Sequence, residues 1–178
     1  MTVSRPAGAE TLVETRSPEV TLHMCSDPRF LAGARGLLSS VAEKAGLSAT
    51  SCAQVALALD EALCNVIRHG YKRRTDAPIW IKLWLLPDSG RGPGMQIVIE
   101  DEAPHVEPEQ IAGRDLCDIR PGGLGVHIIR EVMDFAEYSK RQPVGMRLTL
   151  VKYDRPKAGP ADPADKTLEN PAARAGER

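Results

Sequence analysis

The chain reads as an α+β domain: a two-layer sandwich in which a mixed, mostly antiparallel sheet carries its helices on one face. Three observations predict this. Glu19–Met24 alternates with a period of two, and Ile79–Leu86 and Met95–Glu100 read as two hydrophobic strands. Between the first and second of these, from Ser26 to Gly70, apolar residues recur at helical spacing instead. Finally, the turn-rich segment Pro87–Gly94 joins the second and third strands as a hairpin with a long loop, which makes them antiparallel. Grouping helices and strands in this way suits a sheet with its helices on one side.

The 178 residues suit one ordinary domain with slack at both ends. Hydrophobic residues make up 42% and aromatics only 4%, so the core must be aliphatic. With 23 basic against 24 acidic residues the formal net charge is -1, without the basic surplus of a dedicated nucleic-acid binder. No apolar run reaches bilayer length and the first residues lack the apolar stretch of a signal peptide, so a cytoplasmic protein is expected. Cys25, Cys52, Cys64 and Cys117 show neither C-x-x-C spacing nor closely spaced histidines. They are expected to be small hydrophobes in a reducing compartment, not zinc ligands or disulfides.

Taken in order, residues 1–17 show no sustained period and read as a flexible arm. Val20, Leu22 and Met24 share one side of the first strand. Ser26-Asp27-Pro28 opens the first helix, with a capping oxygen ahead of a proline whose missing N–H is no loss in a first turn. Phe30, Leu31, Ala34, Leu37, Leu38, Val41 and Ala45 form its stripe, and Gly46 ends it. Ser48 or Thr50 caps a second helix that runs to Gly70, with Val55, Leu59, Leu63, Val66 and Ile67 packed inward. In the next strand Ile79, Ile81, Leu83 and Leu85 face away from Trp80, Lys82, Trp84 and Leu86. Residues 102–121 hold three prolines and read as irregular. A helix follows from about Leu124 to Phe135, and Ala136–Tyr138 with Met146–Lys152 close the sheet. The domain thus spans 18–153. From residue 154 the chain has four prolines and no aromatic residue, which predicts a disordered tail.

Three places carry chemistry. On the second helix, Glu61 and Asn65 are four residues apart and project from nearly the same side, at the edge of the apolar stripe. An acid and an amide there need a partner, because burying them unpaired is costly, and a metal–nucleotide complex is one candidate. Asp101 ends the third strand, where it is either a turn cap or an acceptor for an amino group such as the exocyclic amine of adenine. The run Pro121-Gly122-Gly123-Leu124-Gly125-Val126 leads into a helix. It is either punctuation or a cradle in which backbone N–H groups approach phosphate. It is neither a Walker A motif nor a dinucleotide fingerprint.

Glu61-x-x-x-Asn65 followed by His69-Gly70-Tyr71, then Asp101, then Gly123-Leu124-Gly125 before a helix, resemble in that order the GHKL (Bergerat) ATP-binding fold. More narrowly, they resemble the anti-sigma factor serine-protein kinases of bacterial partner switching. The resemblance covers roughly residues 19–152. It implies ATP and magnesium as cofactors, with Asn65 reaching the metal and Glu61 as general base toward a serine hydroxyl. Asp101 would recognise adenine. Gly122, Gly123, Leu124, Gly125 and Val126 would form the phosphate-binding hinge, with His69 and Ala103 beside the nucleotide and residues 103–121 as a short lid. Arg114 and Arg120 either meet phosphate or remain solvated; Arg68 lies next to the site, and His69 is a structural contact or a phosphate neighbour. The implied partners are a sigma factor and a STAS-type anti-anti-sigma factor, with no direct nucleic acid and no membrane. A homodimer through Leu37, Leu38 and Val41 is the alternative to those residues simply covering the sheet.

This sequence departs from the family pattern in two places. Asp101-Glu102-Ala103 stands where Asp-x-Gly is usual; alanine adds only a methyl but forbids easy positive φ, so a slightly rebuilt adenine edge is expected. Met146-Arg147 occupy a stretch where relatives often have threonine, and Thr149 comes too late in register. Two further readings compete with the kinase. The catalytic half of a histidine kinase is disfavoured, since His23, His69, His105 and His127 all fall inside the domain and no long two-helix segment precedes it. A non-catalytic module, in which nucleotide only shapes a partner-binding surface, is the other.

Overall fold

Alternation along the strands decides which side of the sheet the helices take. In the computed structural model, which describes residues 16–88, 90–107 and 124–154, five strands pair in the order β1-β2-β3-β5-β4. They are β1 (Val20–Cys25), β2 (Pro78–Leu86), β3 (Gly94–Asp101), β4 (Phe135–Lys140) and β5 (Met146–Tyr153). All four pairings are antiparallel, so among the described residues the sheet has no parallel component. Ile79, Ile81, Leu83, Met95, Ile97, Ile99, Leu148 and Leu150 all enter the main core. The same register sends Trp84 and Val98 to the opposite face, where they form a small second cluster. The end of the N-terminal arm helps there, because the Trp84 indole donates to the Arg16 carbonyl at 2.9 Å. The remainder of the arm, residues 1–15, lies outside the described residues.

Two long helices cover the core face: α1 (Leu31–Lys44) and α2 (Ala49–Asn65). A 3-10 turn at Pro28–Phe30 precedes α1, with Asp27 as its cap, while Ser26 instead clamps the loop before β2 by bonding Arg74 and Ala77. Leu38 is buried in the core and Leu37 is exposed, so α1 covers the sheet with the former and leaves the latter in solvent. Gly46 ends this region with φ +87, the left-handed conformation that glycine adopts freely. Ser48 caps α2, as the sequence suggests.

Two elements end differently from expectation. The second helix is α-helical only to Asn65; Val66–Gly70 form a π-helical turn, with Tyr71 N bonding Val66 O at 2.8 Å. The last helix, α3, is shorter than predicted (Gly125–Val132), because Met133 turns extended and Asp134 N joins the sheet through Val151 O. Phe135 therefore begins β4 instead of ending the helix. No helix among the described residues is long and apolar enough to cross a membrane.

Asp154 behaves as part of the fold, although its composition placed it in the tail. Its carboxylate accepts from Ser48 N at 2.9 Å, Ser48 Oγ at 2.7 Å and Ser51 Oγ at 2.6 Å, tying the end of β5 to the N-terminus of α2. A negative group there also meets the favourable end of the helix dipole. Residues 155–178 lie outside the described residues. Hydrogen bonds from Ser51 and then Ser48 hold the Asp154 carboxyl below its ordinary value of 3.8. Its stabilisation is therefore present above that value and fades as pH falls through the lowered one. Asp154→Ala should cost about 1 kcal/mol in urea unfolding at neutral pH. The gap from wild type should narrow under strongly acidic conditions.

Candidate functional site

Helix α2 is the strut on which the site is built. Ala58, Leu59, Ala62 and Leu63 are buried against the sheet, which fixes the rotation of the helix and leaves Glu61 and Asn65 half-buried at the edge of the packed face. Helix α3 then arrives with glycine first. An ideal Cβ on Gly125 would lie 2.6 Å from Glu61 Oε2, 3.3 Å from Asn65 Nδ2 and 3.5 Å from Asn65 Oδ1. The lack of a side chain at Gly125 is what lets the helix N-terminus settle against both polar groups. Leu124 is exposed and its carbonyl accepts from Ile128 N at 2.8 Å; Val126 is half-buried. Gly122, Gly123, Arg114 and Arg120 lie outside the described residues, as does most of the expected lid.

About five residues further along α2, roughly 7 Å by helical rise, the π-turn meets the end of β3. A Cβ on Gly70 would lie 3.0 Å from the Ala103 Cβ, so only one of this pair can carry a side chain without crowding. The Tyr71 hydroxyl accepts from Glu102 N at 2.6 Å and donates to Pro78 O at 2.5 Å, stapling the start of β2 to the chain just past Asp101. This explains the Gly70-Tyr71 pair physically: close approach at one position, a bridging hydroxyl at the next. Arg68 and His69 are both exposed beside it.

Strand register puts Asp101 on the helix-facing side of the sheet, opposite Ile79. It is buried, and its Oδ1 accepts from Ala103 N at 2.8 Å and Met146 N at 3.1 Å. No described residue donates to Oδ2. Burial raises the Asp101 carboxyl above its usual range, against the opposing pull of the Ala103 and Met146 amides and of Arg141. Ala103 is not among the positive-φ residues, so the alanine in place of glycine introduces no backbone strain. The position expected to hold threonine instead supplies a main-chain donor, Met146 N.

Three contributors carried no functional weight in the sequence. Gly145, with φ +106, packs so tightly that a Cβ would lie 1.8 Å from the Asp101 carbonyl oxygen. Its only advance signal was a glycine in the turn before the last strand. Tyr71 was noticed only as part of a motif. Tyr138 of β4 was read as a strand residue, yet its hydroxyl is buried near Asn65.

Asn65 Nδ2 is buried without a hydrogen-bond partner. Leaving such a group unsatisfied costs on the order of 1–3 kcal/mol, so an acceptor within reach is favoured. The donor set consists of one carboxylate and one amide oxygen beside a glycine cradle, with no group of three or more His, Cys, Asp or Glu side chains that could hold a metal among the described residues. That set fits magnesium held mainly by phosphate oxygens and water, with a single protein ligand.

The fold and this arrangement define a class: a one-sheet α+β domain that seats a glycine-led helix on a carboxylate and an amide of its second long helix. The chain belongs to the histidine kinase-like ATPase domain family, whose model matches residues 24–152. It is 25% identical over 143 residues to the serine-protein kinase RsbW of Listeria monocytogenes serotype 4a, covering 78% of this chain and 89% of that protein. It is 22% identical to RsbW of Bacillus subtilis, covering 75% and 84%. The crystal structure of the RsbU and RsbW domains of Rv1364c from Mycobacterium tuberculosis shares the fold, with a TM-score of 0.52 and 17% identity. That match covers 78% of this chain, which spans only 33% of the larger protein.

The two tight glycines should respond differently to alanine. Gly125→Ala meets the flexible end of Glu61, so thermal stability should change little while nucleotide binding falls. Gly145→Ala meets rigid backbone at an unfavourable φ, so both stability and binding should fall. Melting curves and calorimetric ATP titrations of the two variants check this.

Proposed function

We propose that this protein is an anti-sigma factor serine-protein kinase. In this reading it binds Mg-ATP, holds a sigma factor, and phosphorylates a serine on a STAS-type anti-anti-sigma antagonist. The observation that carries the reading is the convergence of Glu61, Asn65 and the N-terminus of α3 at Gly125. Curated relatives bearing the name serine-protein kinase support it.

Each residue has a task that its surroundings allow. Asp101 Oδ2, free of described donors, accepts the adenine amine. The α3 N-terminus, approached through glycine, favours phosphate by its exposed amides and its dipole. Asn65 Oδ1 would hold magnesium, whose role when bound is to neutralise charge on the transferring phosphate. Glu61, one helical turn from Asn65, takes the proton from the attacking serine hydroxyl. As the serine Oγ–phosphorus bond forms, the bond from the γ-phosphorus to the bridging oxygen breaks and ADP leaves. Positioning carries most of such a reaction, so Glu61 needs only to be close and correctly oriented. Partner choice would then depend on which nucleotide is bound.

Labelled ATP, magnesium and a candidate antagonist test this. Wild type should transfer label to a partner serine, and Glu61→Gln should lose about a hundredfold or more of that rate while still binding nucleotide. Asn65→Ala should keep the fold and lose the gain in ATP affinity that magnesium provides. Nucleotide binding without transfer in wild type would instead leave a nucleotide-gated binding module.

A further inference from the structure

Helix α2 and strand β4 bring two buried polar groups together, and neither is satisfied. Tyr138 pairs with Leu148 in the β4–β5 register and so points to the helix-facing side, where its ring packs against the main core. Its hydroxyl and the Asn65 Nδ2 are both buried, and neither has a hydrogen-bond partner of acceptable geometry. The two are nevertheless neighbours: burial pushes the Tyr138 hydroxyl upward in pKa, while nearby Asn65, and more weakly the charge of Arg130 on α3, pull it back. Gly125 closes on the same carboxamide from α3.

A buried tyrosine hydroxyl usually finds a partner, because leaving it unpaired in an apolar setting is costly. A carboxamide is also polar at both ends, an acceptor oxygen and a donor nitrogen, so fixing one end fixes the other. We propose that Tyr138 is a positioning residue for Asn65: its hydroxyl accepts from Asn65 Nδ2 and thereby leaves Oδ1 for the cation. The inference rests on the proposed magnesium role of Asn65 and deepens it. It places Tyr138 in the position that outer-shell partners hold around metal ligands, orienting a ligand without touching the metal.

The test compares ATP affinity measured calorimetrically with magnesium and with EDTA in four proteins. These are wild type, Tyr138→Phe, Asn65→Ala and the double variant, with thermal unfolding of each in the ligand-free state. Tyr138→Phe should leave metal-free affinity and melting temperature undiminished, since it removes only an unpaired hydroxyl. It should lose about tenfold or more of the magnesium-dependent gain, and it should add nothing in the Asn65→Ala background. An intact gain in Tyr138→Phe overturns the proposal, as does an equal loss with and without magnesium, or a further loss on top of Asn65→Ala. If Tyr138→Phe lowers the melting temperature, the ratio of the two affinities on folded protein still decides. If Asn65→Ala keeps the gain, or wild type shows none, the magnesium reading falls and this inference with it. If Asn65→Ala loses the gain and Tyr138→Phe keeps it, only the inference falls.

Discussion

Glu61 and Gly125 approach so closely that a methyl group on Gly125 would have to push the Glu61 carboxylate aside, and the rest of the site follows from that contact. It seats the glycine-led end of α3 on the one face of α2 that carries both an acid and an amide. Because the buried side of α2 is locked by aliphatic packing, the helix cannot rotate to relieve the contact. The same helix, continued as a π-turn, reaches the end of β3 through Gly70 and Tyr71. One rigid element therefore sets the spacing between the region proposed for phosphate and the region proposed for the purine. Asp154 anchors its far end through Ser48 and Ser51, so a contact remote from the cleft also helps hold it in place.

The fold buries polar groups that it would do better without. Asp101 is buried with its carboxyl raised by desolvation, so its ionisation at neutral pH works against folding. Asn65 Nδ2 and the Tyr138 hydroxyl are buried without partners. Asn65 and Tyr138 can complete each other, whereas the Asp101 oxygen without a described donor needs a partner from outside the chain, which points to a polar ligand there. The surrounding elements are built to tolerate the cost. Met146 and Ala103 amides converge on one oxygen of Asp101, and Gly145 gives that turn the room it needs.

Much of this was legible in the amino-acid sequence, because it rests on periodicity. The alternation of Ile79, Ile81 and Leu83 against Trp80, Lys82 and Trp84 gave the faces of β2, and the same parity carried through β3 puts Asp101 toward the helices. Ser48 as a cap and Gly46 as a stop were readable from local chemistry alone. What stayed hidden depends on approach between distant segments. The π-turn after Asn65 leads into Tyr71, whose hydroxyl bonds Pro78 and Glu102, and no local pattern records those bonds. Gly145 looks like any turn glycine until the Asp101 carbonyl is seen beside it. Met146 acts through its main chain, so its side-chain identity suggested a loss where the backbone supplies a donor. The alanine at 103 likewise suggested a rebuilt adenine edge, and the backbone there has no positive φ that would require glycine.

The central claim is that a buried acid is kept at the end of β3 to recognise a purine, against the interest of the fold. Calorimetric titration of Mg-ATP into wild type and Asp101→Asn, paired with unfolding of both ligand-free proteins, tests it most directly. The amide can still accept from Ala103 and Met146 but presents a donor where the free oxygen stood. The account predicts a loss of about tenfold or more in ATP affinity, with stability unchanged or raised at neutral pH. Unchanged affinity, or a loss that simply tracks a fall in stability, would contradict it.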